Sequence, residues 1–255
     1  MRSALHPRTW VPTVVALLAA GTVWTLVARD NPYVLPRLSA VGAELAGDPG
    51  FYAANAATTL GEALLGLLVG AVAAFCLGVA VSESAVLRRA VMPLAVVLNV
   101  TPVVAVVPAL IVAFGFGMTP KVVVTALIVF FPVLMNTTTG LRSVPRPVLQ
   151  VFGTVAASRL DVLLRVRVPY ALPYLFSALR VAFPLSLVGA VVAELLAAGA
   201  TRGLGTVISV ASSNSQLGTV WAAIACLALL GALLLLLVST VERRVLGWHE
   251  SQRPT

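Results

Sequence analysis

Along this chain, long apolar runs alternate with short stretches that hold nearly all of the charge. Charge-free runs occupy 9–28, 63–82, 90–120, 122–141 and 203–241, and a further apolar stretch at about 174–198 is interrupted only by Arg180 and Glu194. Each reaches the roughly 20 residues that carry an α-helix across a ~30 Å hydrocarbon core. The runs are continuous rather than alternating, which argues against barrel strands. The pattern predicts an all-α membrane protein of six transmembrane helices, at about 11–28, 56–81, 91–114, 120–140, 174–198 and 217–240, forming one transmembrane domain over 1–255. The first run is longer than the apolar core of a signal peptide, roughly 7–15 residues, and no convincing small-x-small cleavage site precedes Arg29, so it reads as a retained span.

Composition agrees. The chain is 60% hydrophobic and 10% charged, where a soluble domain carries about a quarter charged residues. With six spans, both termini share a side. The loops on that side hold 12 arginines (Arg2, Arg8, Arg88, Arg89, Arg142, Arg146, Arg159, Arg165, Arg167, Arg243, Arg244, Arg253), against Arg29, Arg37, Lys121 and Arg202 on the other. Arginine and lysine accumulate on the cytoplasmic side, so both termini and the 141–173 loop are expected there. The net charge of +8 is then topogenic, with some attraction to anionic lipid, and implies no nucleic-acid partner.

Little in the chain suggests covalent chemistry. Cys76 and Cys226 fall in predicted spans and read as small apolar residues. His6 and His249 lie near opposite tails and form no dyad or metal site. Lys121, the single lysine, is followed by Val122, whereas a phosphate-cradling G-x-x-x-x-G-K-[ST] loop needs Ser or Thr there. No cofactor is expected on this chain, and its energy must come from another subunit or from an ion gradient.

The 141–173 loop is the chain's most specific feature. Pro145 and Pro147 stop the fourth span from continuing as a helix. Val148–Val155 reads as a short helix, Ala156-Ala157-Ser158 as a tight turn, and Arg159–Val166 as a second helix capped by Ser158. Pro169 and Pro173 are expected to end it before the fifth span. On the residues alone, two short helices under the membrane fit either an interfacial hairpin without a partner or a docking element.

From about Asn31 to Ile208 the sequence resembles the permease subunits of bacterial binding-protein-dependent importers of the ATP-binding cassette type, the sulfonate, taurine, nitrate and thiamine-precursor group. The resemblance rests on Ala157-Ser158-Arg159 in the loop turn and Val166–Pro173 at its exit. It rests also on Asn31–Pro36 after the first span, Phe130–Thr137 in the fourth, Val192-Ala193-Glu194 in the fifth and Gly203-Leu204-Gly205 after it. It implies a homodimeric permease in the bacterial plasma (inner) membrane, two ATPase subunits that use ATP and Mg, and an extracytoplasmic solute-binding protein. It assigns ATPase contact to Gln150, Val151, Phe152, Ala156, Ala157, Ser158, Arg159 and Asp161. The chain departs from the family's pattern where Gln150-Val151-Phe152 replaces an E-A-A triplet and Ala156 replaces a turn glycine. The transported solute would be a small organic anion, nitrate or a vitamin precursor, with a lean to the last. The alternative is a gradient-driven transporter or channel, which explains the spans but not the loop.

Candidates for the translocation path are Asn99, Thr101, Pro102, Asn136 and Glu194, because polar groups and freed carbonyls inside a span must face protein or water. For each, interhelical packing is the competing reading; for Glu194 it is a helix-end hydrogen bond at the outer interface. Arg180 is expected to snorkel toward the inner face. Glu62 reads as an interfacial charge, the glycines at 61, 66, 70 and 78 as close packing, and 199–216 as a Gly/Ser-rich outer loop.

Overall fold

The computed structural model describes residues 7–31, 34–154, 156–197 and 202–245. His6, His249, Arg2, Arg253, Pro32, Tyr33, Val155 and the 198–201 segment lie outside the described residues. Within them the chain is helical, without strands. In order it forms α1 (Pro7–Asp30), α2 (Leu38–Gly47), α3 (Pro49–Glu83), α4 (Ala85–Val100), α5 (Val103–Phe114), α6 (Met118–Leu141), α7 (Arg146–Thr154) and α8 (Arg159–Val162). A π-helical turn, Leu163–Arg167, leads into α9 (Val168–Leu196), followed by α10 (Leu204–Ser213) and α11 (Leu217–Val245).

Four stretches are long and apolar enough to cross a membrane: α3, α6, Arg159–Leu196 and α11. The pair α4 and α5 makes a fifth if the two are counted as one broken span. The expectation of one helix over about 91–114 is corrected to two helices that meet at a 94° bend. Thr101 and Pro102 are extended at the break. Proline disfavours helical geometry in the residue before it and brings no N–H of its own, so the helix stops at Val100 and restarts at Val103.

The expected stop at Pro169 and Pro173 is likewise replaced by continuity, and the fifth span starts earlier than 174. The Val168 N–H reaches the Leu163 carbonyl, an i→i+5 bond that widens the turn ahead of the proline. Pro169 then sits in the first turn of α9, where its missing N–H costs least. Of the expected 199–216 loop, the described residues from 202 on contain the helix α10. Leu204, Val207 and Ala211 recur at helical spacing on its buried face.

The bundle centres on α3, α6 and α9. Gly70 on α3 lies so close to α6 that an added Cβ would come 2.5 Å from the Ala126 carbonyl oxygen. Gly66 and Gly78 face Thr125 and Thr137 in the same seam, and Gly189 of α9 abuts Thr125 from the other side. Small residues let backbones approach closely where lipid offers no hydrophobic drive between helices. Gly61 is the exception to the packing expectation, with open space around it. Leu67, Ala74, Val129, Val133, Leu134, Ala178 and Ala182 fill the shared core.

Side-chain contacts sort the helix ends into two layers. At one end Arg167 pairs with Glu83, and Arg180 Nε lies 2.5 Å from Glu242 Oε2. The arginine expected to snorkel therefore ties α9 to the last turns of α11. At the other end Glu44 accepts hydrogen bonds from Tyr52 (3.2 Å) and Thr219 (2.9 Å), joining α2 to α3 and α11. The Trp24 indole of α1 donates to the Pro36 carbonyl at 3.0 Å and packs edge-on against Trp221 at 4.7 Å.

Candidate functional site

The loop between α6 and α9 folds as a hairpin, with α7 and α8 as its arms. Ser158 caps α8: its Oγ accepts the Asp161 N–H at 3.1 Å and donates to Asp161 Oδ2 at 2.5 Å. Asp161 also pairs with Arg165, one turn on, at 3.4 Å. At the tip, Ala156 adopts φ +50°, a left-handed conformation that costs an L-residue roughly 1–2 kcal/mol and that glycine adopts freely. The resembling family's pattern has glycine at this position, a residue that adopts this backbone conformation without strain. The Ala157 N–H closes the turn on the Phe152 carbonyl at 3.1 Å.

The hairpin presents two faces. Val151, Leu160 and Leu164 are 62%, 63% and 56% exposed, an apolar surface rimmed by exposed Gln150, Ser158, Arg159 and Arg165. Phe152 and Ala157 turn inward and line a cavity of ≈ 250 Å³ with Leu149, Arg159, Val162 and Arg167, closed by Glu83 of α3. The Arg167–Glu83 pair fastens the hairpin to the end of α3.

A second feature is a cleft of ≈ 380 Å³ where α4 bends into α5. It is lined by Asn99 and Thr101 together with Leu98, Val106, Phe130, Phe131, Pro132 and Leu185, and holds no charged side chain. Asn99 and Thr101 are thus brought together, with Pro102 at the adjoining break. Thr101 bonds its own helix at the Val97 carbonyl (2.9 Å), whereas among the described residues the Asn99 amide bonds nothing. Asn136 folds back onto the Pro132 carbonyl at 2.8 Å and does not reach the cleft.

Glu194 lies elsewhere. It is 1% exposed, at the opposite layer from the hairpin, and accepts hydrogen bonds from Gly205 N (2.6 Å) and Thr59 Oγ1 (2.8 Å). Thr59 Oγ1 in turn accepts the Leu204 N–H at 2.8 Å, and Asn55 Oδ1 accepts the Gly203 N–H at 2.9 Å. Three consecutive donors at the start of α10 are therefore met by side chains of α3 and α9, which satisfies groups that every helix N-terminus leaves open. Gly203, at φ +126°, has no room for a Cβ beside the Glu194 carboxyl. Next to this cluster Glu62 is buried rather than interfacial, with Lys121 Nζ 2.6 Å from its Oε1. Sequence reasoning missed this pair, although the lone lysine and Glu62 open two spans on the same expected side.

A protein-family profile described as "Binding-protein-dependent transport system inner membrane component" matches residues 66–247. The chain belongs to this family. The hairpin, the cleft and Glu194 with α10 all fall inside the matched region, and Asn55, Thr59 and Glu62 precede it. Over 244 residues the permease is 32% identical to the formylaminopyrimidine transport permease protein ThiX of Halalkalibacterium halodurans, covering 94% of this chain and 96% of that one. It is 32% identical to the taurine transport system permease protein TauC of Escherichia coli over 249 residues, 94% and 89% of the two chains. It is also 38% identical to the riboflavin transport system permease protein RibX of Chloroflexus aurantiacus over 165 residues, 65% of this chain but 61% of that protein's length. The protein is thus a multi-pass permease component of an ATP-binding cassette transport system, a transport subunit and not an enzyme.

Proposed function

We propose that the permease forms half of a two-fold symmetric translocation unit in the bacterial plasma membrane, with six spans and both termini cytoplasmic. The spans are α1, α3, the bent α4–α5 pair, α6, α9 and α11. Two copies of one chain close naturally around a two-fold axis. The arginine-rich layer that carries the hairpin faces the cytoplasm. The α7–α8 hairpin docks on a separate ATPase subunit, which uses ATP and Mg, through Val151, Leu160, Leu164 and the rim of Gln150, Ser158 and Arg159. Motion there passes into α9 through the unbroken Arg159–Leu196 stretch and into α3 through the Arg167–Glu83 pair. An extracytoplasmic binding protein delivers solute to the layer that holds α10.

The observation that carries the choice of solute is the cleft at the α4–α5 bend. Its lining is aromatic and aliphatic, with one amide left to bond and no charged side chain. That chemistry suits a neutral nitrogen heterocycle, stacked on Phe130 or Phe131 and bonded by Asn99, and offers no cationic group to a sulfonate or nitrate. The relatives named for formylaminopyrimidine and riboflavin support the same class. The test reconstitutes the permease with its ATPase and binding protein in liposomes and compares ATP-dependent uptake of formylaminopyrimidine, riboflavin and taurine. Uptake of a heterocycle that drops at least about tenfold in Asn99→Ala is expected. Preferential uptake of taurine would overturn the assignment, and uptake independent of ATP would overturn the coupling.

A further inference from the structure

A cavity of ≈ 340 Å³ lies behind the hairpin, where α3 and α6 end and α4 and α7 begin. Its walls include Ser82 and Glu83 from the last turn of α3, Arg88 from α4, Leu141 and Arg142 at the end of α6, and Arg146 opening α7, with Arg167 from the π-helical turn. Four arginines from four elements therefore surround one carboxylate. Arg167 takes that carboxylate, and among the described residues no acid pairs with Arg88, Arg142 or Arg146. A positive excess along a sequence is what topology requires. Three arginines lining one cavity with no acid paired to them is a tertiary feature that topology does not require, and the positive potential they create there favours an anion.

The position of the cavity narrows the choice of anion. Glu83 and Leu141, the last residues of the α3 and α6 stretches that can cross a membrane, both line it, so it lies where those spans end. Beside it α4 turns an exposed apolar stripe outward, Val86, Ala90, Pro93 and Val97, with Val86 81% exposed. Guanidinium forks match phosphate oxygens in geometry and charge. Basic pockets between spans at the cytoplasmic boundary suit anionic headgroups, whose acyl chains here have the α4 stripe to lie along.

We propose that Arg88, Arg142 and Arg146 form a phosphate-binding site filled by the headgroup of an anionic phospholipid. Bound there, the lipid bridges α4, α6 and α7 and holds the base of the hairpin in place. The inference rests on the proposed function only for which layer faces the cytoplasm.

The assembled transporter, purified with its ATPase, is analysed by native mass spectrometry after exchange into detergent with phosphatidylglycerol, phosphatidylethanolamine or inorganic phosphate. Wild type is expected to retain phosphatidylglycerol. The triple variant Arg88→Gln/Arg142→Gln/Arg146→Gln should retain at least about tenfold less. Arg243→Gln/Arg244→Gln, which removes charge elsewhere in the same layer, should retain as much as wild type. Arg88→Lys/Arg142→Lys/Arg146→Lys keeps the topogenic charge and guards against inverted insertion; it should retain an intermediate amount. Phosphate bound by wild type and not by the glutamine triple, without lipid, would keep the site and move its ligand to solution. Equal lipid retention by wild type and the glutamine triple overturns the proposal. So does equal loss in the Arg243/Arg244 variant. If the triple instead sheds the ATPase and keeps its lipid, the arginines serve the protein partner and the lipid site is wrong. Lipid loss with transport class and ATPase binding unchanged leaves the proposed function standing.

Discussion

Glu194, near the end of α9, accepts the backbone N–H of Gly205 at 2.6 Å, and so fastens the start of α10 to the neighbouring span. Thr59 completes the joint by donating to Glu194 while accepting from Leu204. The acid that most invites a transport role from sequence is engaged in holding a short helix. Replacing it should therefore act on structure before it acts on solute. Glu194→Ala, which orphans buried donors, should destabilise by about 1–3 kcal/mol. Glu194→Gln, which keeps an acceptor, should cost less. Thermal unfolding in detergent reads both. Equal stability of the alanine variant and wild type would show that the joint is dispensable.

The Glu62–Lys121 pair should behave as a unit. Both side chains are buried, and removing one partner leaves an uncompensated charge, at a cost of about 3–5 kcal/mol. Lys121→Met and Glu62→Gln should each lower stability strongly, and the double variant should recover much of the loss. A double-mutant cycle with additive effects would contradict direct pairing.

The α3–α6 seam predicts a contrast between two glycines of one helix. Gly70→Ala drives a methyl group against the Ala126 carbonyl and Val129, and overpacking of this kind costs about 1–3 kcal/mol. Gly61→Ala meets open space and should be neutral or slightly stabilising. Melting temperatures of the two variants, measured side by side, check the difference.

Ala156 offers a gain. Its φ of +50° is strained for alanine, so Ala156→Gly should relieve about 1 kcal/mol at the hairpin tip. Ala156→Val, branched at Cβ, should have the opposite sign. Amide exchange across 152–161 in the assembled transporter should slow in the glycine variant and quicken in the valine variant.

Ala157, half-buried under the turn, tests coupling. Ala157→Glu places a charged side chain where Phe152 and Val162 close the hairpin cavity. The chain should still insert, while solute no longer stimulates the ATPase. Stimulation matching wild type would remove the hairpin from the coupling route.

Much of this architecture is legible in the residues. The positions of α6 and α7 and the Ser158 cap follow from apolar runs, proline stops and capping chemistry, all of which act within a few residues. Three features were not legible from that range. The 94° bend at Thr101-Pro102 needs a cleft to receive its freed groups. The continuity of α8 into α9 depends on a π-helical turn that no propensity signals. The helix α10 looked like a loop because the 199–216 stretch that contains it is rich in glycine and serine, although Leu204, Val207 and Ala211 already carried the 3.6-residue period.

Sequence by itself determined the apolar spans, their order and the concentration of arginine at one layer, because burial in lipid and charge placement are properties of each segment alone. Tertiary structure decided which charges meet. Glu62 with Lys121, Glu194 with Gly205 and Arg180 with Glu242 are 59, 11 and 62 residues apart in the chain. A buried charge takes whichever partner the packed helices bring within about 3 Å, and that distance is set by the glycine seams between helices rather than by sequence separation.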